Sequence, residues 1–237
     1  MTKKLGLVAF FLISLLTACK DDEPAPYKCT ECVDQPEANA AYDNSGQGIY
    51  KGVLVGSSGT IKIDIANNGT AITAVIIIDG ESVTLTGNGS YSPSTGFQGS
   101  FTGSYNGGTI IIPFTVTNTG TVNMSTPTIP GHSSVVIRIF KEKSTQLVEG
   151  FEGTFGGGDS GTFNLVLIRN SAGVGEWIAI ARSDSDSIFV GQVEDDGLFG
   201  GGGEIVIGGE IKGDNVTGVW EHTSNGASGS WKGKRTL

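Results

Sequence analysis

His132 and His222 are the only two histidines of the 237-residue chain and its first candidates for a general base. Nucleophilic catalysis needs a nucleophile, a base and a group that orients the base. Neither histidine stands near a nucleophile elbow of the form G-x-S-x-G. We therefore predict no catalytic residue, no cofactor and no enzymatic activity. A carboxylate pair of the glycoside-hydrolase type stays open as a lesser alternative, because its geometry is set in space and not in sequence.

Acidic residues cluster on both sides of one predicted strand, where calcium is the metal to consider. Asp184 and Asp186 precede this strand, and Glu194, Asp195 and Asp196 follow it. If the two groups converged at one end of a hairpin, their oxygens could bind Ca²⁺. The spacing of an EF-hand is absent, and charged residues in turns are commonly solvated. We therefore predict no metal site and keep calcium as the alternative.

Cys29 and Cys32 form a CxxC motif, which suits a redox pair, half of a zinc site or a short disulfide. Zinc usually takes four ligands, and the chain offers no second CxxC. A redox pair normally opens a helix after a strand, whereas these cysteines lie in a segment rich in proline and acids. In an oxidising exterior, a disulfide is the favoured prediction.

Trp220 and Trp231 each follow a glycine closely, on neighbouring predicted strands joined by a hairpin around Asn225 and Gly226. Aromatic rings beside glycine often pack over the bare backbone inside a core, so burial is the default prediction. Two binding alternatives stay open. The rings could form a platform for sugars, or they could form the floor of a calycin-like ligand cavity.

The N-terminus begins with two lysines at positions 3 and 4, followed by an apolar run over residues 5–16. This run is too short to cross a bilayer, which takes roughly 20 residues, and it fits a secretory signal. Leu16-Thr17-Ala18-Cys19 resembles the bacterial lipobox, in which the chain is cut before the cysteine. The resemblance implies a signal peptide over residues 1–18 and lipid attachment at Cys19.

Four charged residues follow the cysteine at once, in the order Lys20, Asp21, Asp22 and Glu23. They resemble the lipoprotein export signal of Bacteroidetes, which implies an outer-membrane lipoprotein whose body faces the cell exterior. We expect the membrane as a partner through the lipid, with a polysaccharide or an outer-membrane protein as further candidates. Asp186-Ser187-Ile188 resembles a short O-glycosylation motif of the same bacteria and makes Ser187 a candidate for modification.

Composition narrows the classes of partner and of fold. The chain has 15 lysines and arginines against 24 acids, a net charge of −9, and loss of the signal peptide removes two of the lysines. Because a nucleic-acid surface needs cations to neutralise phosphates, we expect no nucleic acid partner. The 38 glycines far exceed the usual share of about 7%. Together with many Thr, Val and Ile residues, they predict turn-rich β-structure.

The elements that must position these candidates show strict alternation of apolar and polar residues. In residues 60–65 three isoleucines alternate with polar side chains, which is typical of a half-buried antiparallel strand. Pairs such as Asp79-Gly80, Asn106-Gly107 and Asp196-Gly197 can supply the positive φ angles of tight hairpins. Similar alternation occurs in residues 82–87, 109–116, 134–140, 176–181 and 204–211. These patterns predict an all-β antiparallel meander without a helix of useful length after residue 20.

The chain also repeats itself with a period of about 100 residues, which suits a small β module. The stretch GSSGTIKIDI at 56–65 aligns without gaps to GDSGTFNLVL at 158–167. We predict two repeated halves, 48–145 and 146–237, preceded by a lipidated acidic tether over 19–47. The halves are expected to form barrel-like or sandwich sheets, as one body or as two. Pro113 cannot donate to a ladder and argues against perfect closure of the first half.

These observations predict a cell-surface, lipid-anchored β protein with a non-catalytic binding or structural role. The alternative is a calycin-like carrier of a small apolar ligand.

Overall fold

The computed structural model describes residues 26–56 and 59–237. In these residues, β-strands form nearly all of the regular structure. The other element in these residues is a 3₁₀ turn at Ala40–Tyr42. All strand pairs are antiparallel, so the predicted all-β antiparallel fold is confirmed. The predicted lipid-attachment residue Cys19 and the export-like residues 20–23 lie outside the described residues.

The first sheet lies between residues 48 and 141 and is open. Its strands are β1 (Gly48–Val55), β2 (Gly59–Ile65), β3 (Ile72–Ile78), β4 (Glu81–Asn88), β5 (Tyr91–Ser92), β6 (Gly96–Tyr105), β7 (Gly108–Val116), β8 (Val122–Met124) and β9 (Val136–Lys141). Their order in space is β8-β7-β6-β4-β3-β2-β1-β9, and β5 pairs with β6.

The second sheet begins at Gln146 and closes into an eight-stranded barrel. Its strands are β10 (Gln146–Gly157), β11 (Gly161–Asn170), β12 (Gly175–Arg182), β13 (Asp186–Glu194), β14 (Gly197–Gly202), β15 (Ile205–Lys212), β16 (Asn215–His222) and β17 (Ser228–Arg235). Each strand pairs with the next one along the chain, and β17 returns to pair with β10.

The alternation of the sequence determines which side of each strand is buried. Ile61, Ile63 and Ile65 on β2 have no exposed surface, as their spacing predicts. Tight turns with two positive φ angles join the hairpins at Asp79-Gly80 and Asn106-Gly107. Between β13 and β14 the positive φ angles fall on Asp195 and Asp196, so this turn begins one residue earlier than the Asp-Gly pair predicts.

The two sheets have the same antiparallel strand order, but the first sheet does not close as the second does. Strand β9 pairs with β1 just as β17 pairs with β10. In the first sheet, however, β8 has only three residues and has β7 as its neighbour in the sheet. Pairing along the outer side of β7 is interrupted around Pro113, between the Ile111–Thr128 bridge and the Phe114–Met124 pair. The proline therefore lies where the predicted break occurs.

The two halves pack against each other through strands at their boundary. Val53 and Val55 of β1 form a buried apolar cluster with Val148, Val166 and Ile180 of the barrel.

A buried ion pair lies at the same boundary. Lys51 Nζ is 2.8 Å from Glu142 Oε2, and the two side chains are 1% and 0% exposed. Glu142 Oε2 also accepts a hydrogen bond from the backbone N–H of Val148, at 3.2 Å. The halves are thus joined by an apolar layer and by a carboxylate that binds both.

The segment before β1 is strapped across both halves. Near its start, Tyr27 Oη donates to the carbonyl of Arg235 at 2.9 Å, and Arg235 pairs with Asp34 at 2.8 Å. Farther along, Glu37 pairs with Lys51 at 2.9 Å and also contacts Lys62. Within the predicted tether of residues 19–47, the described part from residue 26 onward is thus held against both halves at several points. Within this strap, Cys29 and Cys32 are joined by a disulfide.

Candidate functional site

The interior of the closed barrel is built from aromatic residues that face glycines. In the antiparallel register, each of the three tryptophans stands opposite a glycine of a neighbouring strand: Trp177 opposite Gly191, Trp220 opposite Gly229, and Trp231 opposite Gly218. A Cβ on any of these glycines would come within 2.6 Å of the facing indole. The unusual glycine content of this half therefore makes room for large rings inside a narrow barrel.

The indole N–H groups are all bound to backbone carbonyls. Trp177 Nε1 donates to Gln192 at 3.1 Å, Trp220 Nε1 to Gly156 at 3.3 Å and Trp231 Nε1 to Val219 at 3.2 Å. With these donors satisfied, the rings present apolar surface to the inside.

The two tryptophans singled out from the sequence are interior residues. Trp220 is 9% exposed and Trp231 is 8% exposed. Such burial contradicts an exposed sugar-binding platform and agrees with the default prediction that the rings are buried. Trp231 also meets Phe163 edge to face, with ring centroids 5.6 Å apart.

A cavity of about 280 Å³ occupies one end of this barrel. Its apolar wall is formed by Phe155, Phe163, Leu165, Trp177, Ala179, Ala181, Phe189, Leu198, Ile205, Ile207, Trp220, Ala227 and Trp231. Its mouth is formed by turn residues and strand ends, namely Gly158, Asp159, Ser183, Ser187, His222 and Asn225. The opposite end of the interior is filled by fully buried side chains such as Phe151, Leu167 and Val216. The barrel is thus a cup with an apolar wall and a closed floor.

One difference between the repeats contributes to the open space in the barrel. Ile61 of β2 aligns with Phe163 of β11, and their partners in register are Ile76 and Ala181. Ile76 is completely buried in the core of the first half, whereas Ala181 lines the cavity. Neither Trp177 nor Ala181 is among the site residues that the sequence predicts. The exchange of isoleucine for alanine within the repeat is the signal that could have found this wall.

Polar groups at the mouth bind one another. Ser224 Oγ donates to Glu204 Oε2 at 2.9 Å and lies 3.2 Å from His222 Nδ1. His222 Nε2 is 3.6 Å from the same carboxylate oxygen. In a hydrolase triad, the base takes the serine proton and the acid orients the base. Here the acid itself accepts the serine hydrogen bond, an arrangement that ties the β14–β15 turn to the β16–β17 turn.

An ion pair lies next to the mouth residues Ser183 and Ser187. The Arg182 guanidinium donates to both carboxylate oxygens of Asp186, at 2.6 and 2.8 Å, and to the Ser134 carbonyl at 3.0 Å. The hydrogen bond from Arg182 lowers the pKa of Asp186. Ser187, the candidate for O-glycosylation, is exposed at this same rim.

The acids considered for calcium do not converge. Asp186 and Glu194 are the two ends of β13, which places them roughly 26 Å apart at about 3.3 Å per residue. The two acidic groups therefore lie at opposite ends of β13, and the calcium alternative, which required them to meet at one end of a hairpin, is wrong. In the described ranges, no group of three or more His, Cys, Asp or Glu residues could hold a metal ion.

The second histidine belongs to the first half. His132 Nε2 is 3.0 Å from Asp79 Oδ2, and its ring packs near Tyr105. His132 is therefore part of a contact between turns of the first half and does not line the barrel cavity.

Among residues 26–56 and 59–237, no helix is both long enough and apolar enough to span a bilayer.

Compared with known proteins, the chain matches no family model, no curated protein and no solved structure.

Proposed function

We propose that this protein is a lipid-anchored, non-catalytic binding protein whose closed barrel carries a small apolar molecule. The observation that carries the proposal is the cavity of about 280 Å³ with its wall of tryptophan, phenylalanine and aliphatic side chains. Eight-stranded barrels have interiors just wide enough to hold one small ligand. The cavity volume lies just below the range of roughly 300–1,000 Å³ that is typical of small-molecule sites, so the expected ligand is small.

Both the apolar lining of the cavity and the closed hydrogen-bonded barrel around it favour binding of a small apolar ligand. Transfer of apolar surface from water stabilises a complex by roughly 25 cal/mol per Å². The barrel ladder is continuous around the site, so little ordering of the protein opposes binding. The hydrogen bonds among Glu204, His222 and Ser224 support a non-catalytic role, because they leave the serine hydroxyl directed at the acid.

The proposed location rests on the lipobox-like and export-like residues. Residues 26–47 are bound to the body, so only residues 20–25 separate Cys19 from the strap. Six extended residues span roughly 20 Å. If Cys19 carries the lipid, the body stays close to the outer-membrane surface on which we propose that it is displayed.

The experiment is a titration of the purified protein with N-phenyl-1-naphthylamine, a neutral two-ring probe whose emission rises in apolar sites. We expect saturation at one probe per chain, accompanied by quenching of tryptophan fluorescence, because three indoles line the cavity. Exposed apolar residues outside the barrel, such as Phe199 and Val219, offer a competing surface. A Phe199→Ser variant should therefore bind the probe as wild type does. Absence of saturable binding, together with retention on a polysaccharide gel, would favour the glycan-binding alternative.

A further inference from the structure

The cavity also carries information on the polar part of its ligand. Its apolar wall contains no charged side chain, and the three indole N–H groups are already bound to backbone carbonyls. A polar group of a ligand would therefore lack a partner in the wall, and burying it there is costly. Such a group must lie at the mouth.

The charged side chains at or beside the cavity mouth, where the polar group of a ligand would lie, are mostly acidic. Asp159 lines the mouth and is exposed. Glu204 lies in the adjacent β14–β15 turn, 3.6 Å from His222. In the described ranges, no lysine or arginine lines the cavity. The guanidinium of Arg182, whose neighbour Ser183 lines the mouth, is bound by both oxygens of Asp186 and by the Ser134 carbonyl.

The other two arginines of the barrel, Arg169 and Arg235, lie toward its closed end. Arg235 is buried among Glu149, Asp34 and Asp214. Arg169 pairs with Glu149 at 2.6 Å and with Asp196. None of these groups could reach a ligand in the cup, because the filled floor lies between them.

From this arrangement we infer that the barrel selects apolar ligands with a neutral or cationic polar group and rejects those with a carboxylate, such as fatty acids. This inference rests on the proposed function. A carboxylate in the mouth would lie near Asp159 and Glu204 without a lysine or arginine to pair with. An amine or a hydroxyl could donate to the same carboxylates and to Ser183 and Ser187.

The test uses three ten-carbon competitors that differ only in their polar group, decan-1-ol, decylamine and decanoate. Each competitor is titrated into the complex of the protein with N-phenyl-1-naphthylamine at neutral pH and low salt, and displacement of the probe is measured. We expect decanol and decylamine to displace the probe at concentrations about tenfold lower than decanoate, because like charges at short range repel in a partly desolvated site. The Asp159→Asn, Glu204→Gln double variant should reduce the difference between decylamine and decanoate.

The outcomes separate the two proposals. If the probe binds but decanoate displaces it as readily as decylamine, the inference on the polar group is overturned and the proposed function stands. If the probe does not bind at all, both are overturned. Wild-type selectivity in the double variant would also overturn the assignment of selectivity to these two acids.

Discussion

Trp231 of β17 stands directly opposite Gly218 of β16, and a Cβ on that glycine would come within 2.5 Å of the indole. The same ring lies against Gly209 of β15, where a Cβ would come within 2.3 Å. One large ring thus fills the space left by two missing side chains. The pairing keeps a tryptophan inside the barrel and leaves open space beyond it.

Two adjacent glycines of β15 test this relationship. Gly209→Ala should lower the free energy of unfolding by about 1–3 kcal/mol, because the new methyl group overpacks the interior. Gly208→Ala is the matched control, since a Cβ there meets no atom within 4 Å. It should be neutral or stabilising by about 0.4–1 kcal/mol through the unfolded state. Equal urea midpoints for the two variants would contradict the packing of Trp231 over Gly209.

Much of the strand pattern could be predicted because it is local. The alternation of Ile61, Ile63 and Ile65 identifies the buried face of β2 without knowledge of any partner strand. Hairpin turns are also local, although the one at Asp195 and Asp196 shifted by a residue. The position of Ser187 at a rim could not be predicted, because it depends on the closure of the barrel.

Contacts between distant residues account for what the sequence did not reveal. The strap depends on pairs such as Arg235 with Asp34, which are 201 positions apart. Barrel closure depends on the register of β10 with β17, at opposite ends of the second half. The cavity depends on one volume change between repeats, Ile76 to Ala181, whose effect appears only when the walls are assembled.

The buried pair between Lys51 and Glu142 should make a large contribution to stability when one partner is removed. Glu142→Ala leaves the Lys51 ammonium, which is 1% exposed, with the partly exposed Glu37 carboxylate as its remaining partner. Because Glu37 still compensates part of the charge, we expect a loss of about 3 kcal/mol in the free energy of unfolding, the low end of the range for a broken buried ion pair. Glu210→Ala is the control, because its pair with Lys212 is exposed, and it should change stability by less than about 0.5 kcal/mol. Similar urea midpoints for both variants would contradict the proposed role of the boundary ion pair.

The strap should loosen in acid through Glu37. Burial by itself raises the pKa of this carboxyl, but hydrogen bonds and charges from Lys62 and Lys51 outweigh it and lower the pKa. Since the folded-state pKa is lowered, the stabilisation is present above the unfolded value of about 4.3 and is lost as the pH falls through the folded-state pKa. Wild type should therefore be more stable than Glu37→Gln at neutral pH, and the gap should close in acid.

Thermal melting across the acid range measures this gap, with Glu31→Gln as the control. Glu31 is an exposed carboxylate of the same segment, so its loss tests removal of a charge alone. A gap between wild type and Glu37→Gln that widens in acid would contradict the assignment.

The proposed lipid anchor makes a prediction that is independent of the barrel. Cys19→Ala should abolish incorporation of labelled palmitate and release the protein from membranes, because the acyl chains supply the membrane affinity. Replacing Lys20, Asp21, Asp22 and Glu23 with alanine should preserve labelling but reduce digestion by protease added to intact cells. Persistent labelling of Cys19→Ala would contradict the lipobox assignment, and unchanged digestion of the second variant would contradict the export assignment.

Filling the cavity from within tests the central claim most directly. Ala181→Ile places in the barrel wall the residue that Ile76 supplies at the aligned position of the first half. We expect the variant to keep its unfolding midpoint and to bind N-phenyl-1-naphthylamine at least about tenfold more weakly, since the ligand's volume is occupied. Thr217→Ile adds similar bulk on the exposed outer face and should bind the probe as wild type does. A folded Ala181→Ile variant with wild-type affinity for the probe would contradict binding inside the barrel.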